Sequence, residues 1–333
     1  MTLEGVDGDR FVAALAEAIS CRTVVLDDGT YDAAAFEELG AMLERRYPRL
    51  HDALRRERFD GHGLLYTWAG ADPTLDPIVL MAHQDVVPVE DGTEAEWVAA
   101  PFGGSVVDGR IYGRGALDCK GPLIAIFEAI EYLIEHDVTP RRSVMVVSGH
   151  DEEIGGGRGA RVIAEELRPR GVAPWFVLDE GGAVAEGALP AIESSIAVVG
   201  IAEKGVMNVR LAARGQGGHS SMPPAGTAIA RLAAAIARLE VKPVPARIEP
   251  LMPALDALSD RSPRVLGALL GTRAAAWSVS RVFARIPRLD ALQRTTMVPT
   301  IVSGGVKANV VPQTRDRRGS RSSQRLQSDE LRR

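Results

Sequence analysis

The stretch Gly149-His150-Asp151-Glu152-Glu153-Ile154-Gly155-Gly156 decides how the rest of this 333-residue chain is read. It follows the apolar run Val144-Met145-Val146-Val147 and presents three acids in succession. Adjacent carboxylates repel one another and are costly to desolvate without a counter-charge. A bound cation removes that cost; a solvated acidic turn is the plain alternative for these three residues taken alone.

Working outward, two more apolar runs end in chemistry-bearing residues. Ile78 to Ala82 is flanked by Pro77 and leads directly into His83 and Asp85. Trp175 to Leu178 leads into Asp179 and Glu180. Continuous apolar runs of this length predict parallel strands buried on both faces. Asp118 stands between the first two runs, in the glycine-punctuated segment Gly109 to Gly121. Amphipathic helices are predicted around Phe11, Leu15 and Ile19, over about 32–47, from Pro122 through Ile126, Ile130 and Leu133, and over about 159–167. Leu64 to Trp68 reads as a further strand, and Glu90 to Gly109 as a packed ordered loop. The alternation predicts an α/β domain with a largely parallel sheet flanked by helices. In such sheets ligands bind beyond the carboxyl ends of the strands.

After about Val199 the pattern changes. Val209, Leu211 and Ala213 alternate with Asn208, Arg210 and Ala212 as in a half-exposed antiparallel strand. A turn, Gly215 to Pro224, carries His219; a helix over 227–239, a strand over 296–302 and a loop and strand over 304–312 follow. The predicted organisation is a catalytic domain over 1–199 and a smaller α+β domain over 200–314. Residues 315–333 hold seven arginines and no periodicity, which reads as a solvated, disordered tail.

Composition narrows the function classes. The chain is 46% hydrophobic and 25% charged, ordinary for a soluble globular protein. A net charge of −5 argues against nucleic acid as the main partner. No run of 18 apolar residues predicts a membrane span, and no signal peptide is read at the acidic start. Cys21 and Cys119, the two cysteines, are too few for a disulfide framework or a thiolate zinc site and suit a reducing cytosol.

His, Asp and Glu at several strand ends, without cysteine, form a nitrogen/oxygen ligand set for zinc or a neighbouring divalent metal. Asp85 can accept the second ring N–H of His83 and fix its tautomer, although a His-x-Asp pair also occurs as a purely structural unit. Glu152 and Glu153 diverge, so one can ligate while the other acts as general base toward a water at the metal. Asp118 can bridge two metals, or cap the helix that follows it.

His83-Gln84-Asp85, Gly113 to Gly121, Gly149 to Gly156, Val177 to Gly182 and Gly217 to Pro224 together resemble the aminoacylase, carboxypeptidase S and carboxypeptidase G family of zinc metallopeptidases (clan MH), with the carboxypeptidase S-like branch most similar. The resemblance runs from about residue 10 to Gln313. It implies a zinc-peptidase fold with an inserted lid and dimerisation domain. It also implies hydrolysis of amide bonds in small peptides or N-acyl amino acids, a homodimer, and two zinc ions per subunit. By resemblance His83 and Asp179 bind one zinc, with Glu180 adjoining Asp179 as an alternative. Glu153 binds the other and Asp118 bridges the two. Glu152 is the general base and acid, and Asp85 orients His83. His219 reaches the partner subunit's site to stabilise the oxyanion, and Asn309 helps hold the substrate.

The sequence departs from the family pattern in one respect. The second zinc requires a further histidine near the C-terminus, and none of the six histidines follows His219. The resemblance stops at Pro312-Gln313-Thr314, which leads us to expect a C-terminally truncated or frame-shifted chain. The competing expectation is a non-catalytic fragment that binds at most one metal or acts only through its lid.

Overall fold

The computed structural model describes residues 7–185, 195–200, 205–247, 249, 252–259, 272–313 and 323–330. The chain divides into two units, Met1–Gly181 and Gly182–Arg333, a division earlier than the change of pattern at Val199.

The first unit opens with α1 (Gly8–Ser20), whose N-terminal N–H groups are received by the Asp7 side chain, and α2 (Ala33–Arg46), capped by Asp32. A short α3 (Pro48–Ala53) follows. Its exposed N–H groups are met from outside: the buried Glu131 carboxylate accepts from Arg49 N at 3.2 Å and Leu50 N at 2.7 Å. Then come β1 (Arg55–Phe59), β2 (Gly63–Trp68) and β3 (Ile78–Met81). The expected loop after residue 90 is ordered: it includes β4 (Ser105–Val107), paired with β5 (Arg110–Tyr112). Arg22 lies 5.1 Å over the Phe102 ring, and Arg114 5.1 Å over Trp97. Next are α4 (Lys120–Glu135), β6 (Val144–Ser148), α5 (Ala160–Leu167) and β7 (Phe176–Leu178). Helix α4 begins two residues before Pro122, leaving the proline in the first turn, where its missing N–H costs nothing.

Five strands form one sheet in the order β1-β2-β6-β3-β7. β3 runs parallel to both β6 and β7, whereas β1 and β2 extend the other edge antiparallel. The two-residue period of the strands sorts their side chains between two cores. Leu64, Tyr66, Val144 and Val146 pack with α1, α3 and α4, while Leu65, Val79, Met145 and Val147 pack with Ile163 and Leu167 of α5. Helices therefore cover both faces, as in an α/β fold.

One expectation fails here. Phe176, Val177 and Leu178 are 41–54% exposed, not buried. Among the described residues β7 is the edge strand of this sheet, pairing with β3 alone, and its apolar run reads like that of an inner strand because periodicity carries no information about sheet order.

In the second unit, β8 (Ala183–Ala185) pairs with β9 (Ile196–Val198), and β10 (Gly205–Ala212) is the predicted antiparallel strand. β11 (Gly218–His219) precedes α6 (Ala228–Val241), which is capped by the Thr227 side chain. Helices α7 (Met252–Ser259), α8 (Arg273–Phe283) and α9 (Pro287–Leu292) lead to β12 (Met297–Ser303) and β13 (Val310–Val311). The expected tail lies outside the described residues except for β14 (Ser323–Glu330). This segment is a strand inserted between β10 and β12, antiparallel to both. Two facing strands offer ladders of N–H and C=O groups that any backbone lacking proline can satisfy, and residues 323–330 contain neither proline nor glycine. Among the described residues, no helix is long and apolar enough to cross a membrane.

Candidate metal centre

Because β3, β6 and β7 are parallel, their carboxyl ends open on the same side. Pairing continues past β3: Ala82 N donates to Val147 O at 3.2 Å and Gln84 N to Gly149 O at 2.8 Å. The buried Gln84 amide then donates to His62 O and Ser148 O. The segment holding His83 and Asp85 is thus fixed to the strand that delivers the Glu152-Glu153 turn.

His83 is 4% exposed and stands at the centre of the acids. Its Nε2 lies 2.9 Å from Asp118 Oδ1, 3.4 Å from Glu180 Oε2 and 3.8 Å from Glu152 Oε2. Its Nδ1 lies 2.9 Å from the backbone oxygen of Asp85 and 3.3 Å from that residue's Oδ1. Asp118 faces His83 and makes no cap: at α4, Cys119 occupies the N-cap position without a side-chain hydrogen bond. Of the two acids closing β7, Glu180 meets His83; Asp179 is exposed, and its Oδ1 accepts the N–H of Glu180 at 2.9 Å. His219 and Asn309 lie in the second unit, where the β11–β13 pairing brings them together. Ser220 N donates to Asn309 O at 3.1 Å, and the His219 Nδ1 lies 2.7 Å from Ser221 Oγ.

Two features escaped the reading of the sequence. Asp85, wholly buried, spends its carboxylate on the neighbouring loop: Oδ1 accepts Glu152 N at 3.1 Å and Oδ2 accepts Glu153 N at 3.0 Å. Asp151 acts likewise one step further on, accepting Gly159 N at 2.8 Å and Arg158 N at 2.7 Å. Long-range carboxylate-to-backbone bonds leave no periodic trace in a sequence. The glycines beside them were a usable signal. Gly155 sits at φ +104° where the turn of Glu152–Ile154 ends, and a Cβ on Gly159 would stand 2.8 Å from Asp151 Oδ1.

The electrostatics follow from this crowding. Burial alone pushes the His83 ring toward neutrality, but the carboxylates of Asp85, Glu180 and Asp118 overcome it and raise its pKa to about 10. Burial, reinforced by Asp118, raises Glu153 to about 7. Glu152 moves up as well, through burial and then the nearby Glu180, Asp85 and Asp118 charges, against the opposing pull of His83. A protonated imidazole among four carboxylates marks a position that demands positive charge.

A divalent cation fits that demand. His83, Asp118 and Glu153 offer one nitrogen and two carboxylate oxygens within 4.8 Å of one another. His83, Cys119 and Glu180 form a second such group around the same imidazole. Nitrogen and carboxylate donors in these numbers suit zinc and its neighbours better than calcium, which takes more ligands and only oxygen.

Comparison with known proteins identifies the family. The pattern of peptidase family M20/M25/M40 matches residues 79–282. The chain belongs to this family. An M20 relative, the N-fatty-acyl-amino acid synthase/hydrolase PM20D1 of Bos taurus, is 38% identical over 307 residues, covering 90% of this chain and 60% of its own length. Carboxypeptidase S of Saccharomyces cerevisiae is 35% identical over 327 residues, covering 91% of this chain and 56% of its own length. The chain thus spans somewhat over half the length of these hydrolytic M20 relatives. Among solved structures, the M20 family metallo-carboxypeptidase Sso-CP2 from Sulfolobus solfataricus superposes with a TM-score of 0.59 at 18% identity, over 96% of this chain and 71% of that one. Human carnosine dipeptidase 1 gives 0.58 at 17% identity, over 97% and 70%. Both share the M20 fold.

Proposed function

We propose that this chain is a metal-dependent hydrolase of amide bonds in small peptides or N-acyl amino acids, with its reaction centred on Glu152. The observation that carries the proposal is the clasp of Asp85 on the backbone of Glu152 and Glu153, which fixes two adjacent carboxylates beside one buried imidazole. His83, Asp118, Glu153 and one acid at the end of β7, Asp179 or Glu180, would hold zinc, two ions in the full family pattern. Bound there, zinc would supply Lewis-acid polarisation of the scissile carbonyl and a water of lowered pKa.

The chain's own residues do the rest. Glu152 is 52% exposed at its side chain, so it can meet a substrate, and burial with the neighbouring acids raises its pKa, which favours proton uptake. It takes the proton of the attacking water and returns it to the leaving amine. Asp85 keeps the His83 ring oriented and sets Glu152 and Glu153 apart. His219 would supply a hydrogen-bond donor to the developing oxyanion of a partner subunit's site, with Asn309 beside it contacting the substrate. Homodimerisation through the second unit is supported by the exposed apolar side chains of β12: Val298, Ile301 and Val302 are 49–65% exposed. The two free, buried thiols, Cys21 and Cys119, suit a reducing cytoplasmic compartment.

One observation favours a second reading, a chain that binds one metal without turnover: among the described residues both donor groups share the single imidazole of His83. Metal analysis of the purified chain, paired with assays on dipeptides and N-acyl amino acids, separates the two. Two zinc ions per chain with hydrolysis support the enzyme. One ion or none, without hydrolysis, supports the second reading.

A further inference from the structure

We propose that Cys119 supplies a sulfur donor to the metal centre, giving this chain a mixed nitrogen, oxygen and sulfur site selective for thiophilic divalent cations. This rests on the reading of His83 and its acids as a metal centre.

Three separate segments converge to make the site. The end of β3 brings the His83 imidazole, the turn before α4 brings the Cys119 thiol, and the end of β7 brings the Glu180 carboxylate. Their donor atoms all lie within 4.8 Å of one another. Cys119 is wholly buried and His83 nearly so. A buried cysteine is ordinarily a small apolar filler. This one borders the hydrophobic core on one side but faces an imidazole and a carboxylate on the other. A thiophilic cation would bind the sulfur as thiolate, its proton leaving to solvent. The preceding residue, Asp118, already offers an oxygen to the same imidazole, so one turn of chain would contribute a hard and a soft donor to adjacent positions. Such a set favours zinc, cobalt or cadmium over magnesium or manganese.

Cobalt reports sulfur ligation directly. The full chain, stripped with chelator and titrated with Co2+, should show visible ligand-field bands together with a near-ultraviolet sulfur-to-cobalt charge-transfer band. The charge-transfer band should vanish in Cys119→Ser and persist in Cys21→Ser. Cys119→Ser should also weaken Cd2+ binding by roughly tenfold or more while leaving Mn2+ binding nearly unchanged. The wild-type chain alone provides a check independent of any variant's folding, because a thiolate ligand shifts the 113Cd resonance strongly downfield. Visible bands without the charge-transfer band, or a 113Cd shift typical of nitrogen and oxygen donors only, would overturn the sulfur donor and leave the metal centre standing. No bands and no bound cadmium would overturn both.

Discussion

The Asp85 carboxylate accepts the backbone N–H of Glu153 at 3.0 Å with one oxygen, while its other oxygen takes the N–H of Glu152 at 3.1 Å. Two residues proposed for different chemistry, a ligand and a base, are thereby positioned by one buried side chain from a different strand. Asp85→Asn keeps the shape but presents one acceptor where two are needed. We expect it to lose about 1–3 kcal/mol of stability and roughly 10–100-fold in metal affinity. Urea unfolding and zinc titration measure both; a variant indistinguishable from wild type in the two would contradict the clasp.

Glu152→Gln leaves the Asp85 bonds intact, because these go to the backbone. Turnover should fall by about 10²–10⁴-fold, while zinc affinity stays within a few fold of wild type. Steady-state kinetics beside zinc titration test this, and undiminished turnover would remove Glu152 as the base.

Gly159→Ala places a methyl group 2.8 Å from Asp151 Oδ1 and from the Gly149 backbone. Crowding of this kind costs about 1–3 kcal/mol, and it acts on the loop that carries Glu152. The melting temperature and kcat should both drop, although position 159 contributes no side chain to the site.

His150 is wholly buried against Tyr31, Phe36 and His62, and neither of its ring nitrogens has a hydrogen-bond partner among the described residues. Burial lowers the pKa of His150, as it does for His51 and His62. Below the ordinary value of about 6.5, the unfolded chain takes up protons that these rings refuse in the fold. Stability from this source therefore falls as the pH drops below about 6.5, by up to roughly 1.4 kcal/mol per group for each pH unit. The raised groups His83 and Glu153 act with the opposite sign, losing stability as the pH rises. The clean comparison is wild type against His150→Phe, which leaves those two in place. The variant should lose less stability between pH 7.5 and 5.5, with little change at pH 7.5, where an apolar ring replaces two unpaired nitrogens. An equal loss in both chains would refute the assignment.

Much of the first unit was legible because its strands announce themselves. Ile78 to Ala82 and Val144 to Ser148 are apolar runs too short for helices, and each ends in His, Asp or Glu. The candidate donors His83, Asp118 and Glu153 could be named from those endings and from the family resemblance. What stayed hidden was relational. Nothing local distinguishes the edge strand β7 from the inner strand β3, so Phe176 to Leu178 were expected to be buried. Asp151 had no visible task because its partners, the N–H groups of Arg158 and Gly159, lie across a loop. Cys119 was set aside because two cysteines cannot build a thiolate cage; its place beside His83 and Glu180 is visible only in the fold. The pairing of residues 323–330 likewise depends on backbone groups offered by β10 and β12, which side-chain composition cannot reveal.

The position of β3 between β6 and β7 has a consequence for the order in which the chain becomes functional. The donors around one imidazole are spread from residue 83 to residue 180, and the last of them arrives on a strand held by a single neighbour. During synthesis from the N-terminus, His83 emerges long before the acids that surround it, so no cation can reward the early steps of folding. Such long-range contacts are slow to form. A cation that draws on Glu180 can therefore be held only after β7 has docked, as a late latch and not as a nucleus.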